Sequence, residues 1–474
     1  MRFASLYDKK HLMSCLGWMV VVCLLMGQTK GAGIAIAIPM IFYGMIARRT
    51  VILFFWTLML ICSVVINYNF APKGMAFTVI QRGSLVALGC YFMVNLISRP
   101  KNRLVKLFLF LYVYIFYMCL SSLQGWNPFI SYLKLILFTL IYASLVSVAN
   151  RVGRDRMTSS REIRSVMLAI AVFFVLGSMI LVPFPQYSQM RAEDFLDNPM
   201  TVSLYMGMAN HSQSLGPLVS SIAVIVFADL LFSIKRWDWL YVVILISCPY
   251  LVYKTSSRTG MGAYVLGMTY VGWLFMRAHG IGSRWKSRAL SVLMSVMAIG
   301  GIVAMSTPSI REGVVKFLMK SSEVSSDVTT ENVMSSRQGL IDRALYNFKQ
   351  SPIFGNGFQV GENMIGVRPS TTILSAPIEK GVWVVAVLEE GGIIGETLFV
   401  VFLLVGIWGS AHRGAYMASA ALFVAMLTNL GEFTFFSMSY TGGIIWSMVF
   451  IGLALDIRRV QDESGFSPYI KIGE

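Results

Sequence analysis

The sequence predicts an all-helical protein that crosses a membrane about 14 times, and three observations lead to this prediction. Of the 474 residues, 56% are hydrophobic and only 13% are charged, and the mean hydropathy is +0.68. The apolar residues form runs of the length that a spanning helix needs, about 17 to 25 residues. Clusters of Lys and Arg separate alternate pairs of runs. The main solvent of such a chain is hydrocarbon.

Candidate spans occur along the whole chain. The first is followed by Gln28-Thr29-Lys30 and another apolar run instead of a small-residue cleavage site, so we expect it to stay as an anchor. We place the spans by their starting positions, each with an error of a few residues. They begin near Leu12, Gly31, Val51, Phe77, Leu104, Pro128, Ser165, Gln213, Leu240, Gly260, Ala289, Gly381, Tyr416 and Gly442.

The cations are concentrated in every second connection, the pattern that holds loops on the cytoplasmic side of a membrane. The net charge of +16 could indicate nucleic acid, but short clusters between apolar runs do not form a nucleic-acid surface, so we expect no such partner. Both termini then face the cytoplasm. The clusters are Lys9-Lys10, Arg48-Arg49, Arg99 to Arg103, Arg151 to Arg164, Lys235-Arg236, Arg277 to Arg288, Arg413 and Arg458-Arg459.

Cysteines and acidic residues give no sign of a metal or cofactor site. The six cysteines lie inside apolar runs without paired or metal-ligand spacing, as small buried hydrophobes do. Glu193, Asp194 and Asp197 form an acidic cluster, but their spacing matches no divalent-cation site. We predict neither a metal nor a cofactor.

One long polar interruption, Thr307 to Lys380, separates the first eleven predicted spans from the last three. We therefore predict one functional domain, made of spans in residues 1–306, this large loop, and residues 381–474 with the last spans and a cytoplasmic tail. The interruption and two other polar connections, Val182 to Asn210 and Tyr253 to Thr259, alternate with the basic clusters. All three should therefore meet on the outer face.

The long loop should be a structured lid. A helix with one apolar face is predicted from Arg337 to Gln350, where Ser351-Pro352 ends it. A second amphipathic stretch runs from Ile310 to Leu318, and the Ser/Thr-rich segment Val324 to Asn332 should be mobile. The apolar positions of the predicted loop helix are Leu340, Ile341, Ala344, Leu345 and Phe348.

Four motifs, in this order, resemble the bacterial O-antigen ligase and O-antigen polymerase superfamily. Asn210-His211 precedes a helix, and Ser256 to Gly260 (Ser-Ser-Arg-Thr-Gly) opens another. An amphipathic helix then leads into Ser351 to Gly357 (Ser-Pro-Ile-Phe-Gly-Asn-Gly), and Leu388 to Gly395 enters a further helix. The resemblance covers about Asp197 to Leu404; the first spans share only hydropathy with the family.

The resemblance implies a fold of the glycosyltransferase C class in the bacterial inner membrane. It implies transfer of a glycan from an undecaprenyl diphosphate carrier on the periplasmic face to a glycan acceptor. Membrane lipid and other polysaccharide assembly and export proteins are the further partners it implies.

The chain departs from the family pattern at one position. In the ligases a His-Asn pair precedes the acidic-Gly signature by about two and a half helical turns. Counting back from Glu390 reaches Gly381, beside Glu379 and Lys380, where there is no histidine. The difference favours a polymerase of O-antigen or exopolysaccharide repeats over a ligase that acts on lipid A core.

Cleavage of the bond between sugar C1 and diphosphate builds negative charge on the leaving group, so fixed cations should surround it. Arg258 is the first candidate, because it opens a membrane helix whose N-terminus adds partial positive charge, and Lys254 lies one turn earlier. Alternatively, both are interfacial anchors. Arg337 and Arg343 on the loop helix are further candidates for diphosphate binding, or alternatively solvated charges.

Two more cations, Arg82 and Lys134, lie one to two turns inside spans that begin on the outer face. Ionisable groups at that depth are functional candidates, although a side chain that reaches the interface would give the same pattern. We expect them to line a lipid-facing entrance to the diphosphate site.

Glu389 and Glu390 precede Gly391-Gly392, a pair that should bend or interrupt its helix. Buried carboxylates need partners, so we expect these two to pair with Arg258 or Arg337 and to orient it.

The acceptor hydroxyl must lose a proton as it attacks, which requires a carboxylate or a neutral histidine nearby. Glu379 fits by position and His211 is the second candidate. Alternatively, Glu379 forms an ion pair with Lys380, and His211 is a helix N-terminal residue beside Asn210.

These residues and the resemblance together predict a polymerase that joins undecaprenyl diphosphate-linked oligosaccharide repeats by metal-independent, inverting glycosyl transfer. An O-antigen ligase is the alternative within the same class. A flippase for the lipid-linked saccharide is the alternative from a different class, and it should show cations through both leaflets and repeat symmetry among its helices.

Overall fold

The computed structural model describes residues 6–98, 102–189, 205–232, 238–279, 330–360, 381–431, 433–437 and 441–463. Most of these residues are helical, and the β-type pairings among them are the isolated bridges Ile66–Ala209 and Gln189–Tyr205. Seven helices in the described ranges are long and apolar enough to cross a membrane. The protein is thus a polytopic helical membrane protein, which confirms the predicted class.

We number the helices in chain order. Up to residue 189 they are α1 (Lys9–Gln28), α2 (Ala37–Ile46), α3 (Thr50–Cys62), α4 (Met75–Ser98), α5 (Arg103–Leu109), α6 (Leu111–Ser122), α7 (Pro128–Arg154), α8 (Ser160–Ala171), α9 (Gly177–Leu181) and α10 (Pro185–Ser188). From residue 205 onward they are α11 (Ser212–Phe232), α12 (Trp239–Lys254), α13 (Arg258–His279), α14 (Thr330–Gln350), α15 (Trp383–His412), α16 (Tyr416–Thr428) and α17 (Thr441–Glu463).

Short helical turns extend several of these helices. A 3-10 turn at Ala32–Ile36 precedes α2, another at Ser63–Val65 follows α3, and a π-helical turn at Val172–Leu176 joins α8 to α9. Helices or such turns start within a few residues of the predicted positions. The span predicted from Ala289 lies outside the described residues.

The polar connections that alternate with the basic clusters lie together at one end of the bundle, which we call the loop end. There, the Gly74 N–H donates to the Lys30 carbonyl at 2.9 Å, and the Asn67 N–H donates to the Met208 carbonyl at 2.9 Å. The Trp383 N–H at the start of α15 donates to the Asn429 carbonyl at 3.1 Å. These bonds join connections that are far apart in sequence.

The basic connections lie together at the opposite end, which we call the basic end. The Arg458 side chain donates to the Asp155 carbonyl at 2.9 Å, and Arg413 donates to the Arg103 carbonyl at 3.3 Å. Since the two sets of connections occupy opposite ends, the helices traverse the bundle in the alternation that the charge pattern predicts.

The core between the two ends is rich in aromatic side chains. Tyr142 packs edge-on against Trp446, with ring centroids 5.2 Å apart, and Phe138 packs edge-on against Phe436 at 5.1 Å. All four rings are almost or fully buried. This cluster joins α7 to α17 and to residues 433–437, and it lies beneath the loop end.

The loop helix α14 differs from the prediction at its beginning and on its face. It begins at Thr330 and not at Arg337, so part of the segment predicted to be mobile is helical; it ends at Gln350 as predicted. Leu345 is 37% exposed, although we placed it on the apolar face, and Asn347 is buried at 1% exposure. A helix turns 100° per residue, so the face toward α15 includes position 347 instead of 345. The stretch Ile310 to Leu318 lies outside the described residues.

Candidate functional site

A break in the membrane helix α15 organises the loop end. Gly392 has φ 64° and ψ −166°, a non-helical conformation inside the helix, as the Gly391-Gly392 pair predicted. Such a break removes helical hydrogen bonds and leaves carbonyl and N–H groups without intrahelical partners. Inside a bilayer these groups must be satisfied by protein, because no water competes for them.

The ten residues that follow α14, Ser351 to Val360, satisfy the backbone at this break, and we call them the plug segment. The Asn356 N–H donates to the Glu389 carbonyl at 2.9 Å, and the Gly357 N–H donates to the Glu390 carbonyl at 3.0 Å. On the other side of the break, the Ile393 N–H donates to the Pro352 carbonyl at 2.9 Å. The plug segment thus replaces the bonds that α15 loses.

The close approach of these two backbones requires glycine on both sides. A Cβ on Gly392 would overlap the Ile353 carbonyl, and a Cβ on Gly355 would overlap the Glu390 carbonyl. Both glycines also have positive φ, 64° and 77°, which other residues rarely adopt. The Gly-Asn-Gly and Glu-Glu-Gly-Gly motifs are therefore the two halves of one structural contact.

The end of α6 holds the plug segment from a second side. The Ser121 hydroxyl donates to the Phe354 carbonyl at 2.5 Å, and the Ser122 hydroxyl accepts from the Phe358 N–H at 3.2 Å. Just after α6, the Trp126 N–H donates to the Asn356 carbonyl at 3.0 Å. Bonds of this kind fix the plug segment against two membrane helices at once.

Phe358 anchors the plug segment in the aromatic core. Its side chain is 0% exposed, and its ring lies 5.2 Å from Phe436 and 5.9 Å from Phe138. Burial of a Phe side chain contributes roughly 1.5–3 kcal/mol. The segment is therefore part of the folded bundle, and this goes beyond the lid that we expected.

Two amides connect the loop helix to the broken helix. The Asn347 side-chain amide donates to Glu389 Oε1 at 2.8 Å, and the Asn356 amide donates to the Asn347 carbonyl at 2.8 Å. Glu389 and Glu390 are both buried, at 3% and 1% exposure, as we expected for this pair. The predicted pairing with Arg258 or Arg337 stays a prediction; the partner that we describe for Glu389 is an amide.

Lys134 lies under the plug segment. Its ammonium donates to the Gln359 carbonyl at 3.0 Å, and the residue is only 8% exposed. We expected Lys134 at a lipid-facing entrance, and in this respect the prediction was wrong, because the plug segment covers it. The residue stays a candidate for contact with an anion that enters from the loop end.

Arg82 lies at the same depth as Lys134 on a neighbouring helix. Helices α4 and α7 both begin at the loop end, and Gly89 of α4 lies against Leu140 of α7. Arg82 and Lys134 each precede this contact by about two turns. The two cations therefore lie at a similar depth on two neighbouring helices.

Arg258 begins α13, as the sequence predicted, and Lys254 ends α12. The Ser257 hydroxyl accepts from the Gly260 N–H at 3.1 Å and so caps the new helix. Lys254 is exposed, with its ammonium 5.9 Å from the Tyr250 ring centroid, which fits the alternative of an interfacial anchor.

The beginning of α13 is tied to the beginning of α15 through one connection. Thr259 packs directly on Gly431, and the nearby Asn429 carbonyl accepts from Trp383. Arg258 is therefore on the same side of the loop end as the first turn of the broken helix.

His211 caps α11. Its Nδ1 accepts from the Gln213 N–H at 3.0 Å, so a neutral imidazole in this arrangement carries its proton on Nε2. A histidine in that state cannot take another proton without releasing the cap. The geometry fits the alternative, a helix N-terminal residue.

The remaining predicted residues are accessible or outside the described parts. Arg343 is exposed on α14. Glu379, its neighbour Lys380, the side chain of Arg337 and the acidic cluster of Glu193, Asp194 and Asp197 lie outside the described residues. Within the described ranges, no group of three or more His, Cys, Asp or Glu side chains is placed to hold a metal ion.

Sequence reasoning missed Asn347, Asn356 and Phe358. Asn347 interrupts an apolar helix face, and a polar residue in such a position is a signal for a buried hydrogen bond. Asn356 and Phe358 lie in a short motif with two glycines, and the burial of this motif depends on the break in α15. Only the combination of two glycine motifs could have indicated that contact.

Compared with known proteins, the chain matches no family model and no curated relative. Its fold and charge pattern define a multi-pass helical membrane protein.

Proposed function

We propose that the protein is a membrane glycosyltransferase that polymerises undecaprenyl diphosphate-linked oligosaccharide repeats in exopolysaccharide or O-antigen biosynthesis. The proposal includes about 14 spans, a glycosyltransferase C-like fold, the bacterial inner membrane as location, and both termini in the cytoplasm. The loop end is then periplasmic. Its motifs, in the order given above, are the basis for the family assignment.

One observation supports this proposal more than any other: Lys134, a cation at membrane depth, is bonded to a segment of the large polar loop, and Arg82 lies at a similar depth on the neighbouring helix. Ionisable groups in a membrane are costly and mark functional paths. A diphosphate is a ligand that needs several fixed cations at the membrane surface. The arrangement suits a lipid-linked diphosphate whose glycan extends toward the loop.

An apolar groove near Arg82 suits the lipid part of the donor. The groove has a volume of about 430 Å³ and lies between α2 and α4, where Ile38 and Phe42 face Ile80 and Gly83. Arg82 stands next to its lining residues in the sequence. An isoprenoid chain could lie in the groove while the diphosphate remains near the cations.

The chemistry is a single displacement at C1 of the donor sugar. The acceptor hydroxyl oxygen forms the new bond to C1, the bond from C1 to the phosphate oxygen breaks, and the diphosphate leaves with the electron pair. The hydroxyl proton goes to a general base, for which Glu379 is the first candidate and His211 the second. Arg258, Lys134 and Arg82 would stabilise the charge of the leaving diphosphate without a metal.

The same site would serve an O-antigen ligase, since donor and leaving group are alike. The glycans made by a deletion strain distinguish the polymerase from the ligase. Lipid-linked single repeats without polymer indicate a polymerase, whereas lipid-linked polymer that never reaches lipopolysaccharide indicates a ligase. If polymer and its attachment are both normal, the proposed transfer is wrong. Accumulation of the lipid-linked repeat on the cytoplasmic face alone would indicate the flippase.

Orientation needs its own experiment, because every site assignment depends on it. A reporter fused after Lys349 should be periplasmic, and one fused after Arg156 should be cytoplasmic. Both reporters on the same side of the membrane would contradict the proposed topology.

A further inference from the structure

A cleft of about 580 Å³ opens at the basic end, far from the plug segment. It lies between the C-terminal turns of α13 and α15 and the first residue of α16. The side chains that determine its character are Trp273 and Arg277 of α13, Trp408 and His412 of α15, and Tyr416. Among the described residues that line it, none is acidic.

The walls of the cleft are held by ring contacts. The Arg277 guanidinium lies 5.4 Å from the centre of the Trp273 ring. Tyr416 stacks on Phe232 with centroids 4.1 Å apart, and the Arg459 guanidinium lies 5.1 Å from the Tyr416 ring. Contacts of this type restrict side-chain rotation, so the cleft keeps its shape without a ligand.

The groups that can bind an anion in the cleft are side chains, the Arg277 guanidinium and the His412 imidazole. The first turn of α16 would otherwise attract an anion, but the Ala418 N–H already donates to Asp456 Oδ2 at 2.8 Å. Arg277 and His412 are both exposed and both belong to the cleft. They are the groups that can meet an anion there.

The cleft opens toward lipid. Trp273 and Trp408 are 41% and 59% exposed, and tryptophans at the ends of membrane helices mark the level of the lipid head groups. Farther into the membrane, Leu266 of α13 and Leu404 of α15 are also exposed and continue the two walls. A molecule in the cleft would contact Arg277 and His412 at its head and apolar side chains along its tail.

We propose that this cleft binds the head group of an anionic glycerophospholipid, with the phosphodiester between Arg277 and His412 and the acyl chains along the walls. The charge of the cleft and its position at the head-group level select this occupant. The site is independent of the proposed glycosyl transfer and lies at the opposite end of the bundle.

The test is native mass spectrometry of the full-length protein in detergent, with added phosphatidylglycerol or phosphatidylcholine. The protein should retain more phosphatidylglycerol than phosphatidylcholine. The retention of phosphatidylglycerol should be about fivefold lower in Arg277→Ala than in the unchanged protein, and it should also be lower in the separate variant His412→Ala. Arg161→Ala is the matched control, because it removes an exposed cation at the basic end outside the cleft. That control should retain phosphatidylglycerol like the unchanged protein.

Three outcomes would overturn the proposal. The first is equal retention of the two lipids, and the second is an equal loss in Arg161→Ala and Arg277→Ala, which would indicate only the general charge of this end. The third is displacement of the lipid by millimolar inorganic phosphate, which would indicate a site for a free anion. Since both side chains are exposed, the variants should fold. Arg277→Gln, which keeps the bulk of the side chain, provides a second measurement.

Discussion

Buried charged side chains have different kinds of described partners at the two ends of the bundle. At the basic end, Arg164 Nε lies 2.9 Å from Asp229 Oδ2, and the Tyr241 hydroxyl donates to the same oxygen at 2.7 Å. Asp229 is 0% exposed and so is compensated inside the protein. At the loop end, the contacts that we describe for Lys134 and Glu389 are with a backbone carbonyl and a side-chain amide.

The described contacts differ in kind. At the basic end an ion pair between Arg164 and Asp229 joins two helices. At the loop end, backbone and amide hydrogen bonds hold the polar groups around the break at Gly392. Five predictions test this contrast, beginning with the largest expected effect.

The plug contact should not tolerate a side chain at the break. Gly392→Ala places a Cβ against the Ile353 carbonyl and forces an alanine into a conformation that is essentially restricted to glycine, a strain of about 1–3 kcal/mol before the overlap is counted. We expect little or no folded protein in size-exclusion chromatography of the detergent extract.

The control is Gly17→Ala in α1, where the added Cβ meets no atom within 4 Å. It should express normally. Normal folding of Gly392→Ala would mean that the backbone bonds between the plug segment and α15 are not needed.

The proposed general base should affect turnover without affecting binding. Glu379→Gln keeps shape and hydrogen bonding, so donor binding should persist while the rate of polymer formation falls by about 10² to 10⁴. The paired variant is His211→Gln, for which the capping geometry predicts a smaller effect. If His211→Gln abolishes transfer and Glu379→Gln does not, the base comes from the start of α11. If neither changes the rate, the cations carry the catalysis.

Arg258 should act through its geometry as well as its charge. Arg258→Ala is expected to slow polymer formation about a hundredfold, or about 3 kcal/mol, and Arg258→Lys should be nearly as slow, because a point charge cannot reproduce two-pronged contact with phosphate oxygens. Lys254→Ala is the comparison, since Lys254 is exposed beside Tyr250. Normal polymer from Arg258→Ala at equal protein level would remove Arg258 from the site.

Much of the fold could be predicted because the apolar composition of membrane helices distinguishes them from the other segments of the chain. The apolar runs fixed the starts of α4, α7 and α16 to within two residues, and the basic clusters gave the alternation of the ends. The start of α14 could not be predicted, because Thr330 to Ser336 is polar and lacks the apolar period that indicates a helix.

The site could be predicted only in part, for a physical reason. Single residues such as Lys134 and Glu390 stand out because charge is rare in a membrane helix. Their partners depend on which backbones approach each other, and that depends on the break at Gly392. Asn347 was missed because a lone amide in an amphipathic helix gives no sign of the helix it will face.

The amide contact between α14 and α15 should contribute a moderate stability. Asn347→Ala leaves the buried Glu389 carboxylate without the amide donor, at an expected cost of about 1–3 kcal/mol, seen as a lower thermal midpoint at a fixed scan rate. Gln338→Ala on the exposed part of the same helix should cost no more than about 0.5 kcal/mol. Equal midpoints for the two variants would mean that Asn347 does not connect the helices.

The last prediction concerns Lys73 in the connection before α4, whose ammonium at the loop end is bonded to backbone. Its ammonium donates to the Ile66 carbonyl at 2.8 Å and to the Val64 carbonyl. Burial lowers the pKa of Lys73 from 10.5 to about 7. In the unfolded chain the pKa stays near its usual value, so between about pH 7 and 10.5 the unfolded state binds more protons than the folded state.

Stability should therefore rise with pH in that window, by at most about 1.4 kcal/mol per pH unit, and should not change with this group below it. The measurement compares the thermal midpoints of the unchanged protein and Lys73→Met from pH 6 to pH 9. Their difference should be flat up to about pH 7 and then move in favour of the unchanged protein. A constant difference over the whole range would mean that Lys73 titrates like an exposed lysine and that its burial at the loop end does not lower its pKa.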